Sequence, residues 1–342
     1  MKDFVQHFEK LDADRQKAAH SERLVNTFRA SGQFHVADVV WCGDNNTIVS
    51  SGGGDTSVLL WDVQRGEMLR TLGRAAGSRA IACGGNGRFV ASGNSNNEPD
   101  NDVRVWDASN SWAASNIAGP FPPLDGRSNS FVKFLIFNQD STRLYAHFMN
   151  RKSEHHLVLY EVPSWKVISD FALTGQLNTQ PTLSPKGQIY AYGLGSRDIS
   201  VADVLSGVEK VRFRSEELRP SVLAFGHDER TIFVGGQRLY NGPHLGMAEQ
   251  VVEQHSLPDG KLLRSIKTGH LEELSAIKLS PDSAFLITAS GDKTIELRNA
   301  ESGALITTQG DKENEIYSVD IRPDGRQFAS ASGGAVNIWA LK

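Results

Sequence analysis

The sequence predicts an all-β fold of seven four-stranded antiparallel sheets set around an axis, and three observations predict it. A strand-like phrase recurs seven times, period-2 alternation fills each interval, and Gly, Pro and Asp mark the turns. The phrase is plainest as Ser57-Val58-Leu59-Leu60-Trp61-Asp62-Val63, Asp102-Val103-Arg104-Val105-Trp106-Asp107-Ala108 and Ala335-Val336-Asn337-Ile338-Trp339-Ala340. Four weaker copies put Tyr160, Ala202, His255 and Arg298 where Trp stands in the others. The seven positions are 45, 54, 42, 53, 43 and 41 residues apart, the period of a four-stranded unit.

Each interval reads the same way. An alternating strand ends in a turn such as Ser280-Pro281-Asp282 or Arg322-Pro323-Asp324-Gly325, and a small-residue strand follows, Ala284 to Ser290 or Gln327 to Ser332. The recurring phrase is the third strand. A fourth follows a glycine turn, as in Gly66-Glu67-Met68-Leu69-Arg70-Thr71-Leu72. The chain stops at Lys342, directly after the third strand of the last unit, which would leave an open sheet edge. The segment from Arg23 to Ala30 reads as a strand, so it is expected to fill that edge and lock both termini to one sheet. Residues 1–22 differ. Asp3 with Gln6 marks a helix start, and Phe4, Phe8, Leu11 and Ala18 recur at helical spacing. The predicted organisation is a short N-terminal α-helical arm over 1–22 and a closed ring over 23–342.

These residues resemble the WD-repeat β-propeller family, and the resemblance covers roughly residues 23 to 342. In that family a blade is braced by the His of a Gly-His pair, a Ser or Thr, an Asp six residues before the Trp, and the Trp itself. The matching positions here are Asp55, Asp100 and Asp292, then Trp61, Trp106 and Trp339, and His270 of Gly269-His270. No blade carries His, Asp and Trp together, because Arg298 takes the Trp position where His270 and Asp292 occur. The resemblance implies a seven-bladed propeller and a non-catalytic scaffold for a partner protein or peptide, as a subunit of a larger complex. The alternative is a propeller hydrolase or lyase with a metal at the channel mouth.

Composition narrows the partners. The 36 Lys and Arg against 40 Asp and Glu give a net charge of −4, the wrong sign for a nucleic-acid or acidic-membrane binder. No apolar run approaches the roughly 20 residues of a membrane span. Met1-Lys2-Asp3-Phe4 runs into charged residues with no apolar signal core. Cys42 and Cys83 are too few for a disulfide framework and read as structural thiols of a reducing compartment, so a cytoplasmic location is expected.

Candidate chemistry is sparse. His155 and His156 are adjacent on a strand, so their rings face opposite sides and cannot share a metal. The stretch from Asn94 to Asp102 is rich in the oxygen atoms that calcium prefers, yet lacks EF-hand spacing. Gly52-Gly53-Gly54 lies in a hairpin rather than before a helix, which a phosphate cradle would need. The expectation is no cofactor, no metal and no catalytic residue.

A partner surface is easier to place. In a sheet of four up-and-down strands, the start of the first, the turn between second and third, and the end of the fourth open on one face, here called upper. The longer intervals come from segments mapping there: 93–102, 118–130, 150–156 and 235–249. The first strands begin with His35 and Ala37, Gly77 and Arg79, Phe131 and Lys133, Leu177 and Thr179, Arg219 and Ser221, Glu273 and Ser275, Glu315 and Tyr317. Arg79, Phe131, Lys133 and Arg219 make a mostly basic arc on blades two to five, with Glu273 and Glu315 opposite. Such a split suits an acidic segment that also offers one basic group, and aromatic and Arg side chains favour binding hot spots. With Phe121 of the 118–130 insert, these residues, His35 and Tyr317 are the expected contact set.

Overall fold

The computed structural model describes residues 23–29, 35–53, 57–74, 80–93, 103–117, 119–121, 131–239, 248–311 and 313–341. They form seven four-stranded antiparallel sheets. The innermost strands are His35–Trp41, Ile81–Gly84, Phe131–Phe137, Thr182–Leu183, Leu218–Phe225, Leu274–Leu279 and Ile316–Ile321. They pack against one another around the ring, with blade seven returning to blade one. The axis therefore runs between them as a channel.

Burial follows radius. A third strand such as Ser57–Asp62 is buried at all six positions, because both its faces meet neighbouring blades. Hence it reads as a nearly continuous apolar run. An outer strand such as Glu209–Arg214 buries only Phe213 fully, so its sequence tolerates charge. Trp61 and Trp339 sit inside the packed layers, where each indole N–H donates to a serine hydroxyl, Ser50 at 2.8 Å and Ser330 at 2.9 Å. Removing either serine would leave a buried donor unpaired, a cost of about 1–3 kcal/mol.

Ring closure follows the expected route. Leu24–Arg29 pairs antiparallel with Ala335–Ala340, with Thr27 opposite Asn337 and Phe28 opposite Val336. The Thr27 hydroxyl donates to Asn337 Oδ1 at 2.9 Å, and the Ala340 amide donates to the Arg23 carbonyl at 2.7 Å. Phe28 is buried and stacks on Trp61 at 5.4 Å, so the closing strand also fastens blade seven to blade one. The expected helical arm over 1–22 lies outside the described residues. Among those described the only helical turn is the 3₁₀ segment Ala108–Asn110.

In blade six His270, Thr294 and Asp292 lie together. His270 bonds Thr294 Oγ1 and Thr288 Oγ1, each at 2.9 Å, and Asp292 Oδ2 accepts the Leu271 amide at 2.6 Å. Burial alone would raise the Asp292 carboxyl, but His270, Thr294 and the Leu271 N–H outweigh it and hold the group well below the ordinary carboxylate range. In blade six, where Arg298 takes the Trp position, the third strand supplies a buried ion pair. The Arg298 guanidinium donates to Glu296 at 2.7 and 2.9 Å and to the Gly303 carbonyl at 3.0 Å. His255 in blade five lies 3.0 Å from Glu253 and 3.0 Å from the Gly260 carbonyl. In both blades the acid stands two residues before the Trp position. Asp55 and Asp100 lie outside the described residues.

One expectation is overturned. Cys42 and Cys83 are not separate thiols but a disulfide, with Cα atoms 5.2 Å apart. Cys42 directly follows the first strand of blade one, and Cys83 takes the place in blade two that Trp41 holds in blade one. A one-position offset on two adjoining inner strands brings the side chains within disulfide reach. Pattern alone aligned them but could not set the distance between blades.

Candidate partner-binding face

The innermost strands do not simply alternate. In five blades the pairing skips one residue, at Ala37, Lys133, Ser221, Ser275 and Tyr317. These are the second members of the expected pairs. A bulge re-aims the extra side chain, and here the residue type decides its use. Ser275 Oγ donates to the Ile316 carbonyl of the next blade at 2.6 Å, and Ser221 Oγ to the Leu274 carbonyl at 3.3 Å. Those two serines stitch blades together. Lys133 is exposed and Tyr317 half-buried.

Below the bulges, charged groups bridge the seam where the ring closes. Asp38 of blade one accepts the Ser318 hydroxyl of blade seven at 2.7 Å and the Ile81 amide of blade two at 3.4 Å. Lys278 of blade six pairs with Asp320 at 3.1 Å, and Asp320 accepts the Trp41 amide at 2.8 Å. Lys278 is 46% exposed, although protein surrounds its charge, as befits a side chain lining a channel. Burial pushes the Asp38 carboxyl up to about 6, against the Ser318 bond and the Lys278 charge. A folded-state value above the unfolded one means stability is fullest below pH 4 and declines as pH rises through 6. We expect Asp38→Asn to remove that decline, worth on the order of 1–3 kcal/mol. His147, buried and held neutral near pKa 3, works in the opposite direction, so the difference between the two proteins is the quantity to measure. Urea unfolding of both at pH 4.5 and pH 7 gives it. Parallel shifts would contradict the assignment.

On the upper face, Arg219 stands exposed opposite Gln237, Phe131 half-buried opposite Met149, and Glu273 and Glu315 exposed on blades six and seven. Phe121 is half-buried against the His156 ring, edge-on at 4.8 Å. Arg79 and the side chain of His35 lie outside the described residues. The structure adds Arg151 and Lys152 on the second-to-third turn of blade three, and Glu272 and Glu313 beside the two expected acids, all exposed. Counting only first-strand positions missed them, although they map to the same face.

The expected insert at 235–249 is partly strand. Thr231–Leu239 and Ala248–Ser256 run nine residues each, against five to seven for the corresponding strands of the other blades. Two extra residues lift the hairpin by about 7 Å. At its base Arg238 lies 3.0 Å from Glu217, 3.7 Å from Glu249 and 3.9 Å from Glu253, and Lys267 pairs with Glu249.

His155 and His156 do turn to different partners. His155 Nδ1 lies 3.0 Å from His147 Nε2, while His156 Nδ1 lies 2.6 Å from Asp170 Oδ1. Among the described residues no group of three His, Cys, Asp or Glu is placed to hold a metal ion, and no helix is long and apolar enough to cross a membrane.

The family described as WD domain, G-beta repeat matches residues 22–62, 260–299 and 303–340. Each match begins at the outer strand of one blade and ends at the third strand of the next, the same offset that makes Leu24–Arg29 the outer strand of blade seven. A relative from Synechocystis sp., described as an uncharacterized WD repeat-containing protein, is 26% identical over 157 residues. That stretch is 46% of this chain and spans only 41% of the relative's length. The matched repeats supply the third strands of blades one, six and seven, the other blades repeat their strand order, and the described residues form a seven-bladed β-propeller whose blades one, six and seven are similar to that repeat.

Proposed function

We propose that this propeller is a scaffold that holds a partner protein or peptide on its upper face, around the channel mouth. Propellers of this family are typically protein-interaction scaffolds and generally non-enzymatic. The observation that carries the reading is the division of charge on one face. Phe131, Lys133, Arg151, Lys152 and Arg219 lie on blades three to five, interspersed with the acids Glu154, Glu216 and Glu217, whereas Glu272, Glu273, Glu313 and Glu315 lie on blades six and seven with the single base Lys293 among them. Rigid strand ends hold both sets, so little ordering cost opposes binding. The partner this suits is an acidic segment with one basic group, its acids toward Lys133 and Arg219 and its base toward Glu273 and Glu315. Phe131 and Tyr317 offer apolar anchors, and His35, Arg79 and Phe121 complete the set. A net charge of −4 favours a protein over a nucleic acid.

The test is Lys133→Glu with Arg219→Glu. Both side chains are exposed, so the melting temperature should hold while crosslinked capture of the partner is lost. Undiminished capture would retire the reading. Cytoplasmic residence belongs to the same proposal, and the Cys42–Cys83 bond weighs against it, since such bonds persist in oxidising compartments. A thiol count on denatured protein from its native host decides: two thiols support the cytoplasm, none excludes a reducing one.

A further inference from the structure

Blade three carries three basic side chains side by side on its first three strands, at their upper ends. Phe134 stands opposite His147 and Val132 opposite Phe148, so the bulged Lys133 lies beside His147. On the other flank Leu157 stands opposite His147, which puts His155, two residues along, on the same face. The two rings stack with centroids 5.2 Å apart, and His147 Nε2 shares one hydrogen bond with His155 Nδ1 at 3.0 Å. Lys133 is exposed, His155 half-buried and His147 only 2% exposed. Nearby acids are engaged elsewhere. The Asn150 side-chain amide donates to Glu154, and Asp170 lies 2.6 Å from His156, which points to the opposite face.

In the bond between the rings one must donate and the other accept, and the second nitrogen of His147 decides which. His147 Nδ1 is buried and has no hydrogen-bond partner among the described residues. Orphaned buried N–H groups are rare, whereas an acceptor short of a partner is better tolerated. Burial, His155 and Lys133 together hold His147 neutral, so it has a single ring proton to place. That proton belongs on Nε2, where it is donated to His155 Nδ1. Burial and the Lys133 charge hold His155 neutral as well. With its Nδ1 accepting, His155 carries its own proton on Nε2, the nitrogen that His147 leaves unengaged.

We propose that the His155 Nε2–H and the Lys133 ammonium form a carboxylate subsite on blade three, with His147 as the positioning residue that keeps His155 a donor. The inference rests on the acidic-partner reading above and gives one acid of that segment its place. A neutral donor takes no proton from solution, so the subsite stays intact above pH 7. A histidine with its tautomer unfixed would there present a lone pair to the carboxylate, which repels it.

Nitrogen NMR of the full chain carrying labelled histidine reads the tautomer, with His155→Phe assigning the signal. At about pH 8 the expected spectrum shows His155 protonated at Nε2 and bare at Nδ1; the reverse tautomer overturns the proposal. Binding is read with a hexa-aspartate peptide at low salt. Lys133→Met and His147→Phe should each weaken it about tenfold, the size of one lost hydrogen bond to a charged group. His147→Gln should restore it, because the side-chain amide N–H takes over the donation to His155. Equal affinity of the parent, Lys133→Met and His155→Phe overturns the subsite alone, since Lys133→Glu with Arg219→Glu still tests the wider face. No binding by the parent overturns the subsite and the acidic-partner reading together.

Discussion

Removing the Cys42–Cys83 bond, by Cys42→Ala with Cys83→Ala, lowers the unfolding free energy by about 3–4 kcal/mol. The magnitude comes from the unfolded chain: the bond closes a span of 41 residues, and releasing a loop of that size restores conformational freedom worth about that much. The bond also joins blades one and two at their innermost strands, the part of the ring with least room to relax. Cys42 is wholly buried, so alanine rather than serine is the replacement that avoids leaving a polar group unpaired. Guanidinium unfolding of parent and variant, with and without reductant, measures the loss. Reductant should bring the parent to the level of the variant and leave the variant unmoved. Superimposed curves for all four samples would show that the bond contributes nothing.

Deleting residues 1–30 costs more than deleting 1–22. The shorter deletion removes the arm and leaves every described strand intact. The longer one removes the outer strand of blade seven, including Phe28, and strips its cover from Trp61. Truncating one buried Phe to Ala already costs about 3–5 kcal/mol, before counting the lost ladder opposite Ala335–Ala340. An open edge on that strand also invites intermolecular pairing. We expect the longer truncation to aggregate or to melt well below the shorter one. Equal melting temperatures would mean that the closing strand carries no load.

Much of this fold was legible because each blade repeats a local pattern. Trp61 and Trp339 marked third strands, turn residues set the strand ends, and the unpaired last blade called for Leu24–Arg29. What escaped depends on distances between blades. The disulfide requires two inner strands to meet, and no spacing along the chain states that. Nothing in the spacing singles out Glu253 and Glu296, which the fold buries beside His255 and Arg298. Blade four departs in another way: its inner strand is only Thr182–Leu183, with an isolated bridge from Leu177 to Leu194. There the Thr179 hydroxyl accepts the Gly193 amide at 2.7 Å, a side-chain contact that its equivalents Ser221 and Ser275 do not make. For the upper face, the sequence suggested an arc of charge whose blade-two member, Arg79, lies outside the described residues, and only the bulges separate serines that stitch blades from side chains that reach solvent.

Leu24–Arg29 and Ala335–Ala340 are paired strand to strand across the ring closure. Amide hydrogen exchange of Leu24–Arg29 in the full chain tests it directly. Closure predicts that the amides of this peptide that face Ala335–Ala340 exchange far more slowly than an unstructured peptide, though faster than Ala335–Ala340, which is also paired with Gln327–Ser332 on its other side. Exchange at the rate of an unstructured peptide in Leu24–Arg29, with Ala335–Ala340 still protected, would contradict it.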